Sequence, residues 1–203
     1  MDIQIGRGKT ARRAYGIDEI ALVPGTRTLD PTLADTTWRI GNIERKIPII
    51  ASAMDGVVDV RMAVRLSEIG ALGVLNLEGI QTRYENPEPI LDRIAGVNKD
   101  EFVPLMQELY AAPVKLDLVK QRIKEIKSSG GIAAVSATPA GAVKFGSVVA
   151  EAGADLFFVQ ATVVSTAHLS PESITPLDLA EFCREMPMPV ALGNCVSYEV
   201  TLN

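Results

Sequence analysis

The chain has 203 residues, with 20 Lys and Arg against 25 Asp and Glu and a net charge of −5, which excludes the basic face that a nucleic-acid binder needs. Apolar residues make up 47% and charged residues 22%, the composition of a globular protein built from helix-covered parallel strands. No apolar run reaches the length of about 18 residues that spans a bilayer, and the basic cluster Arg7, Lys9, Arg12 and Arg13 lacks the apolar segment of a signal peptide.

In chain order, Gly16–Gly25 carries Ile20, Leu22 and Val23 before a Pro-Gly turn and predicts a short strand and loop. A second short strand is expected around Trp38 to Ile43, so that the chain opens with a β-hairpin. Lys46–Met54 holds an apolar run without alternation, the pattern of a strand buried on both faces. Residues 57–69 follow as a helix with Val60, Val64, Leu66 and Ile69 near helical spacing, stopped by Gly70. Leu72–Leu77 is the next buried strand.

Residues 80–130 read as a helical insertion, with Leu116, Val119, Ile123 and Ile126 on one face of its last helix and a Gly-Gly end. Gly131–Pro139 returns to a strand, and residues 141–154 form a helix. Asp155–Ala161 is a strand, and a helix opened by Thr175-Pro176 follows. Met188–Asn194 is the fifth buried strand, and residues 197–203 start a further helix. Strict β-then-α order implies a parallel sheet, either an open doubly wound sheet or part of an eight-stranded barrel. Asn203 falls about two turns into a helix without cap, Gly or Pro, so the chain is expected to stop short of its domain's end.

Function in either architecture gathers at the C-terminal ends of the strands. Those ends are Ser52-Ala53-Met54-Asp55, Asn76-Leu77-Glu78, Ser136-Ala137-Thr138, Gln160-Ala161-Thr162 and Gly193-Asn194-Cys195. All five carry hydroxyl or amide side chains, which orient a polar ring or a sugar without ionising. The site so described is neutral, has no evident base or nucleophile, and suits nucleotide recognition better than hydrolysis. No glycine-rich phosphate loop or metal-ligand spacing is present. His168, the single histidine, reads as a solvated or cap-adjacent loop residue, with substrate contact as the alternative. Ser52 and Asn194 could equally cap helices, Asp55 is expected to cap the helix over 57–69, and Met54 could be core filler. Cys183 and Cys195 read as buried, packed thiols of a reducing compartment, with the cytoplasm as the default location.

Taken together, several strings resemble the IMP dehydrogenase/GMP reductase family. YGIDEIALVPG (15–25) is similar to the opening of that family's catalytic domain, and IPIIASAMDGVVDVRMAV (47–64) to its first barrel strand and helix. EAGADLFFV (151–159) and PVALGN (189–194) resemble later strands. The resemblance runs from about Tyr15 to Asn194 and is weakest between 80 and 130; its most specific piece is the strand-end Ser-Ala-Met-Asp.

What the resemblance implies is a (β/α)8 TIM barrel. Residues 1–203 would be the N-terminal part of one catalytic domain, its first five strands only, with an N-terminal β-hairpin and the helical insertion at about 80–130. It further implies an NAD(P)-dependent reaction at C2 of a purine nucleoside monophosphate. Ser52, Met54 and Asn194 would contact the substrate, and Gln160, Thr162 and Asn76 the cofactor, NADPH or NAD. The family's nucleophilic cysteine, its phosphate-binding glycines and a monovalent cation at the catalytic loop would lie beyond Asn203, leaving this chain alone inactive. A homotetramer is implied as well.

Two departures stand out. Gln160 replaces the Asp usual in IMP dehydrogenases, and no Lys stands near Asn76-Leu77, where GMP reductases typically place one. Residues 80–130 are too short for the paired regulatory module of most IMP dehydrogenases. The chain therefore looks like the IMP-dehydrogenase-related subgroup without that module. GMP reduction is the favoured direction and IMP oxidation the alternative. An inactive nucleotide-binding member and a flavin-dependent barrel enzyme are the rivals.

Overall fold

The computed structural model describes residues 2–162, 167–170, 173–195, 198 and 202. Contacts divide the chain into two compact units, Met1–Asp35 and Thr36–Asn203.

In the first unit, β1 (Asp2–Gly6) and β2 (Lys9–Arg12) form an antiparallel hairpin with Ile3 opposite Ala11. The strand expected around Ile20–Val23 does not form. A single 3-10 turn occupies Ile17–Glu19, and Leu22 and Val23 after it stand in solvent. Local polar bonds favour the turn: Glu19 accepts from the Gly16 amide at 3.0 Å and pairs with Arg13 at 2.8 Å. Those two donors hold the Glu19 carboxyl below its usual range, the amide first. A second 3-10 turn, Pro31–Leu33, is capped by Asp30, which accepts from the Thr32 amide.

The second unit is built on a curled parallel sheet of five strands, in the order β11-β8-β7-β6-β5. These are β5 (Ile50–Ala51), β6 (Leu72–Asn76), β7 (Ala134–Ala137), β8 (Leu156–Gln160) and β11 (Val190–Gly193). Strand and helix order left an open sheet and a barrel as alternatives; the chain forms the half-barrel that the family resemblance implies. The single strand expected around Trp38 to Ile43 is itself a hairpin, β3 (Trp38–Ile40) pairing β4 (Ile43–Arg45). Its turn residue Gly41 has φ +55, and a Cβ there would lie 2.2 Å from Pro189 Cγ, so no other residue fits.

Successive side chains of a strand point to opposite faces. Leu75, Val135, Phe157 and Val159 pack in one core with helices α1 (Val60–Ile69), α4 (Leu116–Ser128), α5 (Pro139–Ala152) and α6 (Leu179–Glu185). The alternate residues Leu72, Val74, Ala134 and Leu156 form a second core with Trp38, Ile40, Ile43 and Phe158. The β3–β4 hairpin thus closes the inner face at the N-terminal end of the strands. Arg45 secures it by donating to the carbonyls of Ser67 and Ala71 at the end of α1, where a helix leaves carbonyls unpaired and favours a cation.

Helix starts differ from expectation where an acid outcompetes a neighbour. Asp59, not Asp55, caps α1 by accepting from the Met62 amide at 2.6 Å, and Gly70 ends that helix at φ +90 as expected. Thr175 and Pro176 belong to β10 (Ser173–Asp178), which pairs with β9 (Ala167–Ser170). Helix α6 begins after Asp178, whose carboxylate accepts from the Glu181 amide. His168 lies in β9 opposite Leu177 rather than in a loop. The helix expected over 197–203 falls largely outside the described residues.

The insertion is shorter than 80–130. A 3-10 turn (Ile80–Thr82), α2 (Glu88–Gly96) and α3 (Phe102–Ala111) compose it, while α4 packs beside α1 and α5 as a regular helix of the barrel wall. The buried face of α4 also differs. Leu116 is 41% exposed, whereas Arg122 is 6% exposed among Leu118, Val119, Ile123 and Ile126. The Arg122 guanidinium is tolerated there because it donates to the carbonyls of Gln81 (2.9 Å), Tyr84 (3.3 Å) and Glu85 (2.8 Å) and pairs with Glu125 at 2.9 Å. Removing it orphans those carbonyls. Arg122→Ala is expected to lower unfolding free energy by about 3 kcal/mol, whereas Arg65→Ala at the exposed Arg65–Glu68 pair leaves stability nearly unchanged. Thermal and urea unfolding of the two variants checks this contrast.

Candidate functional site at the strand ends

Parallel pairing in register sets the rim. Asn76 lies opposite Ser136, Ser136 opposite Phe158, and Gln160 opposite Gly193. Each of Asn76, Ser136 and Gln160 is two residues beyond a member of the inner core, so all three extend the inner face at the C-terminal end of the sheet. Ser136 is buried and its hydroxyl donates to Gln160 Oε1 at 3.4 Å. Gln160 and Thr162 are exposed. Asn76 is half-buried, and its Oδ1 accepts from the Glu78 amide at 3.0 Å.

Ser52 and Met54 follow β5, and Asn194 follows β11; all three are exposed on this rim. Because β5 and β11 are the two edges of the described sheet, these residues flank the arc rather than touch. Strand spacing is about 4.8 Å, so the row of Asn76, Ser136 and Gln160 lies between them. Neither Ser52 nor Met54 is spent elsewhere: Asp59 caps α1, and Met54 is 57% exposed, not core filler. The turn after β5 is held by main-chain bonds from Met54 to Ser52 at 2.8 Å and from Val57 and Val58 to Met54 at 2.9 Å. At the far edge, the Asn194 amide donates to Ala161 at 3.0 Å, extending the β8–β11 pairing past the strands.

Three charged groups at this end are all engaged. The Glu78 carboxylate accepts from the Thr138 amide at 2.6 Å and hydroxyl at 3.1 Å, at the start of α5, where the helix dipole favours an anion. The Arg83 guanidinium donates to the carbonyls of Glu78, Tyr110 and Ala112 and lies 5.3 Å above the Tyr110 ring. Asp55 accepts from the Ile80 amide at 2.9 Å and from the Tyr110 hydroxyl. Burial, then Asp55, pushes the Tyr110 phenol well above its usual range. Of the strand-end side chains named, those left open are uncharged: the hydroxyls and amides of Ser52, Gln160, Thr162 and Asn194 beside the apolar Met54.

Asp55 is therefore not a helix cap. Its Oδ1 is buried without a partner among the described residues, a cost of about 1–3 kcal/mol that the two donors on Oδ2 offset. Gly79 is shaped to this carboxylate, because a Cβ there would lie 1.9 Å from Asp55 Oδ1. No motif or spacing points to Tyr110 or Arg83, which come from outside the strand ends. The cysteines are not the buried pair expected: Cys195 is exposed, and Cys183 is half-buried on α6 with its thiol pushed up by burial. Among the described residues no group of three His, Cys, Asp or Glu could hold a metal ion, and no helix is long and apolar enough to cross a membrane.

Gly79→Ala is expected to destabilise by about 2 kcal/mol through overpacking against Asp55. In the Asp55→Ala background the same change is expected to cost at least about 1 kcal/mol less. A double-mutant cycle by urea unfolding measures this coupling.

The chain is similar to known proteins over nearly all its length. Residues 14–199 match the IMP dehydrogenase / GMP reductase domain. An uncharacterized oxidoreductase of Mycobacterium tuberculosis is 32% identical over 206 aligned positions, covering 99% of this chain and 55% of that protein. The inosine-5'-monophosphate dehydrogenase of Korarchaeum cryptofilum is 38% identical over 63 residues, 31% of this chain and 13% of that enzyme. The crystal structure of an IMP dehydrogenase/GMP reductase-like protein from Corynebacterium glutamicum superposes with a TM-score of 0.88 at 29% identity, covering 99% of this chain and 54% of that one. The chain thus spans about half the length of the curated relatives that it matches end to end. With the in-register rim, the half-barrel and the domain match in agreement, the chain belongs to the IMP dehydrogenase/GMP reductase family of oxidoreductases.

Proposed function

We propose that this chain forms the nucleotide-facing rim of an NAD(P)-dependent oxidoreductase acting at C2 of a purine nucleoside monophosphate. The observation that carries the reading is the neutral row Asn76, Ser136 and Gln160, flanked on the same rim by Ser52 and Met54 at one edge and Asn194 at the other. Family membership supplies the class of chemistry.

In this reading, the Ser52 hydroxyl and the Met54 side chain hold the nucleotide, and the Asn194 amide faces the reacting base. Gln160 accepts from Ser136 through Oε1, which leaves its Nε2 protons free to donate to a ribose hydroxyl or carboxamide. Thr162 and Asn76 complete this side. Uncharged donors and acceptors of this kind fit a nicotinamide nucleotide without opposing its change of charge. The nicotinamide, when bound, gives or takes the hydride. In this reading neither Cys183 nor Cys195 is the nucleophile, since neither matches the position of the family's catalytic cysteine. The reading puts the nucleophilic thiolate, the phosphate-binding glycines and a monovalent-cation site after Asn203, in a homotetramer of the cytoplasm.

The compact insertion, with two short helices in place of a regulatory module, favours reductive deamination of GMP to IMP with NADPH. Oxidation of IMP to XMP with NAD is the second reading, favoured by the relatives that carry the dehydrogenase name. The full-length protein is mixed with GMP and NADPH, then with IMP and NAD, and absorbance at 340 nm is followed. A fall in the first mixture is the expected result, a rise in the second supports the alternative, and no change in either overturns both. Ser52→Ala and Asn194→Ala are each expected to cost about tenfold in kcat/KM, roughly 1.4 kcal/mol, chiefly through the nucleotide KM.

A further inference from the structure

We infer that Tyr110 is a positioning residue for the substrate loop: its hydroxyl, with the Ile80 amide, holds Asp55 and so sets where Ser52 and Met54 stand. The functional consequence rests on the nucleotide reading of those two residues.

Asp55 directly follows Met54, and α1 does not need it, because Asp59 is the cap. Both donors that hold its carboxylate come from the segment inserted after β6, one from the turn that starts it and one from the end of α3. The bonds within the loop itself are short-range, from Met54 to Ser52 and from Val57 and Val58 to Met54. Such turns fix local shape but not where the loop sits against the rest of the barrel. Asp55 supplies that second constraint.

The anchor is itself immobilised. Arg83 clamps the carbonyls of Tyr110 and Ala112 and covers the Tyr110 ring, and the Tyr84 hydroxyl donates to the Leu109 carbonyl at 2.9 Å. Gly79 leaves the space that the carboxylate occupies. The raised ionisation of the phenol, caused first by burial and then by Asp55, keeps it a proton donor through neutral and mildly alkaline pH. An insertion remote in sequence from the strand end thereby sets the geometry of the proposed nucleotide contacts.

The test compares Tyr110→Phe with Tyr84→Phe in the full-length protein. Each removes one hydroxyl from the same insertion, but only the first touches Asp55. In Tyr110→Phe the nucleotide KM is expected to rise about tenfold with kcat within about twofold and cofactor KM unchanged, and amide exchange across residues 53–58 to quicken without ligand. Tyr84→Phe is expected to leave both readouts within about twofold of wild type, because the Arg83 clamp on Tyr110 and the Tyr110–Asp55 bond remain. An equal KM rise in the two variants would reduce the effect to general support by the insertion and overturn the inference. So would a Tyr110→Phe protein with unchanged KM and exchange. If the wild type turns over no purine nucleotide, the function reading has failed, and the exchange comparison alone decides the latch: quickening confined to Tyr110→Phe upholds it, and any other pattern overturns it.

Discussion

Parallel strands paired in register govern the half-barrel. Once Val74 lies opposite Ala134 and Ala134 opposite Leu156, the two-residue period of a strand assigns every later side chain to a face. Leu75, Val135 and Phe157 turn to the helices, and Asn76, Ser136 and Gln160 continue the inner face. A slip of one residue would exchange the faces, burying the amides under helices and pointing Phe157 into the mouth. The apolar core and the polar rim are therefore one constraint seen at two heights.

The inner face is closed at its N-terminal end by the β3–β4 hairpin, through Trp38, Ile40 and Ile43. The C-terminal end has no such plug among the described residues and ends in hydroxyls and amides. Charge near that end is consumed internally: Glu78 at the start of α5, Arg83 on three carbonyls, Asp55 on Ile80 and Tyr110. A charged group left free there would bias the site toward ions. With these paired, the exposed side chains named on the rim are uncharged: Ser52, Met54, Gln160, Thr162 and Asn194.

The insertion is tied to the wall by two arginines. Arg122 from α4 and Arg83 from the segment itself hold its turns by backbone carbonyls, which side-chain substitution elsewhere in the insertion does not alter. Tyr110, which bonds Asp55, lies in the part so held. The insertion reads longer in the sequence than it is, because α4 has the same amphipathic spacing whether it lies in an excursion or in the wall. Only its packing against α1 and α5 assigns it to the wall.

The five parallel strands, most of the helices between them and the neutral chemistry of the strand ends are legible in the amino-acid sequence, because they follow from local periodicity and from residue types at element boundaries. The burial expected of the first and fifth strands is not met, because β5 and β11 are the sheet's edges and Ile50 and Leu192 are exposed. The strings around Ser52–Asp55 and Pro189–Asn194 pointed to the family that the domain match establishes. Long-range packing settled the features that local pattern cannot encode. Asp55 and Asp59 are equivalent cap candidates by residue type, and the choice fell to which carboxylate meets donors 25 and 55 residues away. Arg122 looks like a solvent-facing residue until the carbonyls of Gln81, Tyr84 and Glu85 are placed around it. Ile20–Val23 has the composition of a strand, but a strand exists only where another backbone pairs with it.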